Sequence, residues 1–337
     1  MKANPICIYH ANCADGFTAA WAVWKAIPEA EFHKGFYGES PPDVKDRDVI
    51  IVDFSYKRNA LIEMAKQAKS ILILDHHKSA EAELQNLPSN VEAHFDMNRS
   101  GAMMAWEHFH PNKAPSDLVI HVQDRDLWLF KRPQTKAFQA NLFSYEYTFE
   151  NWEMINNLCA DDNKYHEFVM AGLAIKRKHE KDVRELIKSA AYMGELFGYR
   201  VLFLNCPYFH SSEAGHIMAK GMDFAVCYYD NGEERVFSLR SDENGADVSL
   251  IAAQFGGGGH KHAAGFRTPS PKAINDKIKH QLIWCREFIE AEAACFKESH
   301  SNAFGEFDCT QDQAQYEIEM QNVKEIDELL TQLSELI

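Results

Sequence analysis

Three short apolar runs in the first quarter of the chain share one pattern, because each ends abruptly at an acid or a histidine. They are residues 6–9 before His10, residues 49–52 before Asp53, and residues 71–74 before Asp75-His76-His77. Apolar runs of this length, rich in β-branched residues, are typical of buried strands in a parallel sheet. Ligand sites in open α/β sheets lie outside the carboxyl ends of the strands, so we expect these polar residues to meet in one crevice.

Segments with helical character separate and follow these runs. The predicted helices cover residues 14–27, 59–68 and 116–122. Ser100 before Gly101 is typical of an N-cap that opens a further helix. Because strands that alternate with helices indicate a parallel sheet with right-handed crossovers, the first half of the chain is expected to be an α/β domain.

The second half is expected to begin with a long helix. Residues 163–191 contain no proline, one glycine and many Lys, Glu and Arg residues, which predicts a largely exposed helix that joins two domains. Short strands and helices follow and predict a second, smaller α/β domain. The predicted boundaries are residues 1–162, 163–192 for the linker helix, 193–270 for the second domain, and 271–337 for a helical extension with an acidic tail. The tail ends in an apolar repeat that predicts an amphipathic helix, which leaves a homodimer open.

Composition narrows the class of protein. The 337 residues are 46% hydrophobic and 12% aromatic, which is enough for two folded domains. The formal net charge of −15 disfavours long nucleic acid and favours a small anionic substrate held by metal ions and a few arginines. No apolar run is long enough to cross a membrane, and no signal peptide is evident. The eight cysteines form no C-x-x-C pair, so we predict a reducing, cytoplasmic location.

The polar residues at the three predicted strand ends have the chemistry of a metal site. Carboxylate oxygens and imidazole nitrogens suit Mn²⁺, Mg²⁺ or Zn²⁺. A lone pair of histidines is often a surface accident, but His76 and His77 follow a buried run and match two other strand ends. The residues therefore predict a metal-dependent hydrolase.

The triplet Asp75-His76-His77 resembles the motif that gives the DHH phosphoesterases their name. Four further residues stand where that family keeps its other metal motifs: His10, Asp15, Asp53 and Asp124. Ser238-Leu239-Arg240-Ser241 and the glycine run 256–259 before His260 resemble the associated C-terminal domain, called DHHA1. The resemblance spans about residues 6–266. It is closer to the oligoribonuclease (nanoRNase) and RecJ-type branch than to family II inorganic pyrophosphatases, whose basic signature is not found.

The resemblance implies a centre of two Mn²⁺ ions, with Mg²⁺ as the alternative. The implied metal ligands are His10, Asp15, Asp53, His76 and Asp124, with Asp53 bridging the two ions. His77 would contact the phosphate or fix a ligand, and Asp75 would orient a histidine or the loop. Asp126 competes with Asp124, which is favoured because it comes first after the predicted helix.

Two departures from the family pattern bear on this centre. Family members commonly carry a second acid two residues after the position of Asp15, where this chain has Phe17. The spacing from His10 to Asp15 is also one residue longer than in the nanoRNase pattern. One metal would therefore have fewer protein ligands, and Asn12 or Cys13 could partly substitute, although a thiolate is an unusual ligand for Mn²⁺.

The glycine run predicts a phosphate site. Glycines let backbone N–H groups approach a phosphate closely, and His260 at the end of the run can donate a further hydrogen bond. Arg240 can clamp a phosphate through two parallel hydrogen bonds. The predicted substrate-binding residues are Arg240, Gly257, Gly258, Gly259 and His260.

The function predicted from these residues is a phosphodiesterase that hydrolyses short oligonucleotides to nucleoside monophosphates with a metal-activated hydroxide. One alternative is cleavage of a cyclic dinucleotide, a linear dinucleotide or phosphoadenosine phosphate. An alternative of another class is a catalytically silent scaffold subunit, which the Phe17 departure keeps open. The predicted partner is a short oligonucleotide or dinucleotide, with no membrane.

Overall fold

The computed structural model describes residues 4–11, 13–274, 277 and 283. Asn12, the predicted acidic tail and most of the predicted helical extension lie outside the described residues. Within the described part the chain is a mixed α/β protein with two sheets, which confirms the predicted fold class. No helix in this part combines the length and the apolar character needed to cross a membrane.

The first sheet has five strands, and all of its pairings are parallel. The strands are β1 (Ile6–His10), β2 (Glu31–Gly35), β3 (Asp48–Val52), β4 (Ser70–Asp75) and β5 (Val91–Phe95). Their order is β2-β1-β3-β4-β5. The direction of winding reverses between β1 and β3, and a crevice opens at such a point beside the carboxyl ends of the strands. These ends carry His10 and, one residue after β3, Asp53.

Eight helices accompany this sheet. They are α1 (Ala14–Ala26), α2 (Arg58–Ala65), α3 (Lys78–Glu83), α4 (Gly101–Phe109), α5 (Asp117–Asp126), α6 (Thr135–Leu142), α7 (Phe149–Leu158) and α8 (Asp162–Ala190). Helix α4 begins after Ser100, whose hydroxyl accepts from the Met103 N–H, so the predicted N-cap is confirmed. Helix α5 runs to Asp126 rather than ending at Val122, which changes where its acids point.

Both faces of the first sheet are covered, which explains why its strands are apolar without alternation. Cys7 and Tyr9 pack into a core with α1, α4, α5, α6 and α7. Ile6 and Ile8, from the same strand, pack into a second core with α2 on the opposite face. Successive side chains of a strand point to opposite faces, so an apolar residue is required at every position.

The second sheet lies in the C-terminal part of the chain and has six strands in the order β10-β11-β9-β8-β7-β6. These strands are β6 (Tyr192–Leu196), β7 (Tyr199–Asn205), β8 (Ala225–Asp230), β9 (Glu234–Arg240), β10 (Gly258–His260) and β11 (Ala263–Pro269). A 3-10 turn (Tyr208–His210), α9 (Ser211–Met218) and α10 (Val248–Ala253) connect them. The long helix α8 precedes this sheet. Only four of its 29 residues are buried, in agreement with its predicted exposure.

The chain divides into two compact units. The first comprises Met1–Tyr229 and Phe237–Phe266, and therefore holds all the candidate site residues. The second comprises Asp230–Val236 and the chain from Arg267 onwards. Within the second unit Arg235 pairs with Asp230 and Arg267 pairs with Glu234, at 2.7 Å each.

Candidate metal centre

His76 and three carboxylates form the centre of the candidate site. The His76 Nε2 atom lies 3.0 Å from Asp53 Oδ1, 3.6 Å from Asp15 Oδ2 and 3.5 Å from Asp126 Oδ2. His76, Asp15 and Asp53 are buried, and His10 Nδ1 approaches the second oxygen of Asp53 at 3.4 Å. The strand ends therefore meet as the apolar runs predicted.

Asp53 occupies a special place in the backbone as well as in the cluster. It follows β3 with φ of 53°, a left-handed conformation that costs energy for a residue other than glycine. Three of the four groups of side chains that could hold a metal ion, among the described residues, include Asp53. A residue that reaches several such groups is suited to bridge two ions.

The start of α4 holds Asp15 in place. Asp15 Oδ2 accepts from the Gly101 N–H at 2.6 Å, and Oδ1 accepts from the Ala102 N–H at 3.0 Å. A Cβ at Gly101 would lie 2.4 Å from the Asp53 Cβ, so only glycine lets the helix approach this closely. The free N–H groups and the dipole of the helix thus stabilise a buried carboxylate at the site.

Asp75 organises the turn that carries the two histidines. Its Oδ1 accepts from the His76 N–H at 2.7 Å, the His77 N–H at 3.2 Å and the His77 Nδ1 at 2.6 Å. Its Oδ2 accepts from the buried Ser55 hydroxyl at 2.6 Å. Because Asp75 engages Nδ1 of His77, the Nε2 atom of that ring remains available to a ligand. This geometry agrees with the orienting role that the resemblance implies for Asp75.

The structure brings Asp126, and not Asp124, to this centre. Asp124 instead accepts from the Thr135 hydroxyl at 2.6 Å and from the backbone N–H groups of Lys131 and Arg132, at 2.8 and 3.1 Å. Helix α5 continues through both acids, and residues two apart on a helix point about 200° apart. One acid therefore faces the cluster and the other secures the following loop. The sequence interpretation favoured Asp124 because it placed the helix end too early.

Four buried atoms in the cluster have no hydrogen-bond partner among the described residues. They are His10 Nδ1, Asp53 Oδ2, His76 Nδ1 and Asp126 Oδ2. Buried polar atoms are nearly always paired, so unpaired oxygens and nitrogens that converge on one place indicate a missing ligand. Three carboxylates around one imidazole carry surplus negative charge. The donor set therefore fits divalent cations with oxygen and imidazole ligands.

The pKa values in the cluster reflect crowding of like charges. Burial, followed by repulsion from Asp53 and Asp126, raises the pKa of Asp15 well above its usual range. Burial also raises the pKa of Asp126. Burial opposes ionisation of Asp53 as well, but the nearby His10 and the hydrogen bond with His76 outweigh it and hold its pKa well below the usual range. Burial would lower the pKa of His76, yet the surrounding acids raise it to about 10. Only added positive charge lets all three acids ionise together.

Phe17 fills the core at the position where the family pattern has an acid. Its ring lies 4.9 Å from that of Trp152, 5.2 Å from that of Phe149 and 5.8 Å from that of Tyr9, measured between centroids. Cys13, in contrast, can join His10 and Asp53 in a group that could hold a metal ion. Burial raises the pKa of the Cys13 thiol well above its usual range, with Asp53 the next cause, so the metal-free thiol stays protonated near pH 7.

His260 comes from the second sheet and lies against the two histidines of the triplet. Its ring stacks on that of His77 with centroids 4.6 Å apart and lies 4.7 Å from that of His76. Burial, followed by the neighbouring His77 and His76, lowers the pKa of His260 to about 2. His260 is therefore neutral near pH 7 and can donate one hydrogen bond.

Packing explains much of the glycine run. A Cβ at Gly257 would lie 2.1 Å from the Gly265 oxygen, and one at Gly258 would lie 2.8 Å from the Ser79 hydroxyl. The Gly259 N–H donates to that same hydroxyl at 3.2 Å. Close approach to protein atoms therefore accounts for these glycines, and the Gly259 N–H already has a partner. The sequence did not identify Ser79 as a functional residue, because a single serine belongs to no recognisable motif.

Arg240, the last residue of β9, is half-buried. Its guanidinium donates to the Leu239 carbonyl at 2.8 Å and to the Ser212 hydroxyl at 3.0 Å. Burial lowers its pKa, while Glu213 and Asp126 act in the opposite direction. These two contacts fix the guanidinium, and its role in binding phosphate stays a prediction.

A parallel α/β domain with a cluster of buried acids and histidines at its switch point defines the class of this protein. Residues 5–125 match the DHH family, N-terminal domain. This part of the chain, which holds the first sheet and Asp75-His76-His77, is therefore a DHH family N-terminal domain. The resemblance stated from the motifs is confirmed.

Similar proteins include one viral relative and several solved structures. Uncharacterized protein R106 of Acanthamoeba polyphaga mimivirus is 30% identical over 285 residues, which cover 77% of this chain and 66% of the relative. The pGpG-specific phosphodiesterase PggH from Vibrio cholerae is 16% identical, with a TM-score of 0.41, over 83% of this chain and 98% of that one. An uncharacterized protein from Helicobacter pylori G27 is 14% identical, with a TM-score of 0.40, over 82% and 97%.

Proposed function

We propose that this protein is a metal-dependent phosphodiesterase. The observation that carries the proposal is the convergence of three carboxylates on His76, with a buried oxygen of Asp53 and one of Asp126 left without a hydrogen-bond partner among the described residues. Membership of the DHH family, whose members include phosphoesterases, supports the same class of reaction. A scaffold subunit would have no reason to keep charged atoms buried and unpaired, because such atoms destabilise the fold.

The proposed cofactors are two divalent ions of the same kind. We expect Mn²⁺, with Mg²⁺ as the alternative. Asp15, Asp53, His76 and Asp126 would hold one ion, and His10 with Asp53 would hold the other, where Cys13 stands close. Bound divalent ions supply a nucleophilic water near neutral pH and neutralise charge on phosphoryl oxygens. The shortage of protein ligands on the His10 side predicts that this ion binds more weakly.

The residues of the chain itself would position the phosphate. Arg240 would offer its planar guanidinium to the phosphoryl oxygens, and His260 would donate a hydrogen bond from the glycine-run loop. His77, fixed through Nδ1 by Asp75, would present Nε2 to the same oxygens. Ser55 completes the support of Asp75. These groups surround the reacting centre with donors that are already oriented.

Short oligonucleotides are the proposed substrates, with nucleoside monophosphates as products. The net charge of −15 opposes the binding of long polyanions, whereas a short chain can be held by two metal ions and Arg240. Dinucleotides, cyclic dinucleotides and phosphoadenosine phosphate offer the same reacting group and form the second candidate class.

Hydrolysis by metal-stripped protein, with Mn²⁺ or Mg²⁺ restored, tests the proposal. The panel comprises a dinucleotide, five-residue RNA and DNA, a cyclic dinucleotide, phosphoadenosine phosphate and pyrophosphate, with products separated by chromatography. We expect Mn²⁺-dependent release of mononucleotides from the short RNA and none from the Asp126→Asn variant. Turnover of pyrophosphate alone would overturn the proposal, and so would absence of both turnover and metal binding.

A further inference from the structure

Lys78 and Ser79, which follow Asp75-His76-His77, connect this part of the chain to residues 256–262, which we call the glycine-run loop. Ser79 accepts from the Gly259 N–H at 3.2 Å, and its hydroxyl occupies the space that a Cβ at Gly258 would need. Lys78 pairs with Asp247 at 2.7 Å. Both contacts join the start of α3 to a part of the chain about 170 to 180 residues away.

We propose that Lys78 and Ser79 are positioning residues that fix His260 against His77 for the reaction. This inference rests on the proposed phosphodiesterase function. Ser79 acts on the residue next to His260, since its partner is the Gly259 N–H. The ring of His260 stacks on that of His77 with centroids 4.6 Å apart. Hydrogen bonds to the residues on either side of His260, Gly259 and Lys261, fix the position of its ring in this stack.

Lys78 acts through the start of α10. Asp247 uses Oδ2 for Lys78 and Oδ1 to accept from the Ser249 N–H at 3.1 Å, so it caps the helix while it is paired. The next residue, Val248, donates its N–H to the Lys261 carbonyl at 2.9 Å, directly after His260. The ion pair therefore connects α3 to the end of the loop, and Ser79 connects α3 to its middle.

The last residue of the loop, His262, is held by the residue that follows β9. The Ser241 N–H donates to the His262 carbonyl at 3.2 Å, and the Ser241 hydroxyl lies 3.0 Å from His262 Nδ1. Arg240 is the neighbour of Ser241 in the chain. His262 thus supports the loop from the second sheet, while Ser79 contacts the loop directly and Lys78 contacts it through Asp247.

The position of these residues in the sequence explains why they suit this role. They come immediately after Asp75-His76-His77, whose turn is held by Asp75. A displacement of Lys78 or Ser79 would therefore shift the loop relative to the metal ligands. The side chains of Lys78 and Asp247 are 50% and 18% exposed, so solvent and salt weaken their pairing and the hold is reversible.

A double-mutant cycle with His260 tests whether Ser79 acts through that histidine. In the full-length protein with Mn²⁺, Ser79→Ala is expected to lower kcat/KM between about 10-fold and 100-fold through misplacement of His260. In a His260→Ala background the same change should cost less than about 2-fold, because nothing is left to position. An equal loss in both backgrounds would overturn the proposal.

Two further variants test the ion pair. Lys78→Ala is expected to lower kcat/KM by about 5-fold at low salt and by less at high salt, since screening already weakens the pair. The exchanged pair, Lys78→Asp with Asp247→Lys, should recover part of that loss. Lys69→Ala removes an exposed lysine that pairs with Asp48, and it serves as the control with unchanged activity. Equal salt dependence in Lys78→Ala and wild type would count against the role of Lys78.

Hydrogen exchange of the Gly259 amide provides a measurement that needs no substrate. In metal-free protein, Ser79→Ala should speed exchange of this amide by about 10-fold or more, while Lys69→Ala leaves it unchanged. Unchanged exchange in Ser79→Ala would overturn the proposal whatever the activity shows. If the protein hydrolyses no member of the panel but this amide responds, the phosphodiesterase function fails and the positioning contact stands.

Discussion

Two regions of this protein, the acidic and histidine-rich strand ends of the first sheet and the glycine-run loop, differ in how their polar atoms are hydrogen-bonded. At the strand ends of the first sheet, oxygens of Asp53 and Asp126 are buried without partners. In the glycine-run loop, the Gly259 N–H is taken by Ser79, and the glycines make room for neighbouring protein atoms. Only the first region lies in the matched DHH family domain. Among the described residues, buried side-chain atoms without a hydrogen-bond partner lie in the first region and not in the loop, so the first is where ligands are expected to bind most strongly.

The same contrast appears between the two acids of α5. Asp124 accepts three hydrogen bonds, one from the Thr135 hydroxyl and two from backbone N–H groups in the loop that follows α5. Asp126, in contrast, has a buried oxygen without a hydrogen-bond partner. A carboxylate that is satisfied by the protein contributes to stability, and one that is not satisfied is available to a cation. Composition alone does not separate the two cases.

The largest expected effect comes from removing the charge of Asp53. Asp53→Asn should abolish binding of at least one ion and lower kcat by about 1,000-fold or more, because the cation and the phosphoryl group lose their shared anchor. Titration calorimetry with Mn²⁺ measures the first effect. The metal-free variant should also be less stable to urea than metal-free wild type at pH 7, because the carboxylate that His10 and His76 keep ionised is lost. Asp48→Asn, on the same strand, is the control, and strong Mn²⁺ binding by Asp53→Asn would contradict the assignment.

The two acids of α5 should respond in opposite ways. Asp126→Asn is expected to weaken Mn²⁺ binding by about 10-fold to 100-fold with little change in the free energy of unfolding. Asp124→Asn should leave metal binding nearly intact but cost about 2 kcal/mol of stability, because an amide cannot accept all three hydrogen bonds. Metal titration and urea unfolding of both variants measure this. The reverse pattern would restore Asp124 as the ligand.

Substitutions in the glycine run should lower the free energy of unfolding rather than the affinity for metal ions. Gly257→Ala places a methyl group 2.1 Å from the Gly265 oxygen and 2.6 Å from the Phe266 Cβ, so we expect a loss of about 2 to 3 kcal/mol. Gly256→Ala has open space but a φ of 75°, and it should cost about 1 kcal/mol. Urea unfolding ranks the two variants, and equal losses would mean that packing does not explain Gly257.

The smallest effect concerns an acid that the protein itself neutralises. Burial would raise the pKa of Glu213, but His179 and Arg125 outweigh it and lower the pKa from 4.5 to about 2. Because the folded-state pKa is the lower one, Glu213 contributes stability above about pH 4.5, and this contribution is lost as the pH falls toward 2. Glu213→Gln should therefore be less stable than wild type by about 1 to 2 kcal/mol at pH 7, with the difference vanishing near pH 2. Urea unfolding at several pH values measures it, and a difference that grows in acid would contradict the pairing.

Much of the fold could be predicted because the apolar runs leave little choice. Residues 6–9, 49–52 and 71–74 are apolar at every position, which only strands covered on both faces require. The N-cap at Ser100 also followed from local chemistry. The end of α5 did not, since nothing in residues 123–126 stops a helix. An error of four residues there was enough to exchange the acid that faces the cluster.

The sequence by itself determined the parallel α/β class, the family, and the meeting of His10, Asp53 and His76, because residues at strand ends follow from the strand pattern. Only the tertiary structure decided which atoms remain without a partner. It placed Asp126 rather than Asp124 at the centre, put Phe17 into an aromatic core, and joined Ser79 to Gly259 across 180 residues. Hydrogen-bond satisfaction and close packing depend on contacts between distant segments, and no local pattern in the chain records them.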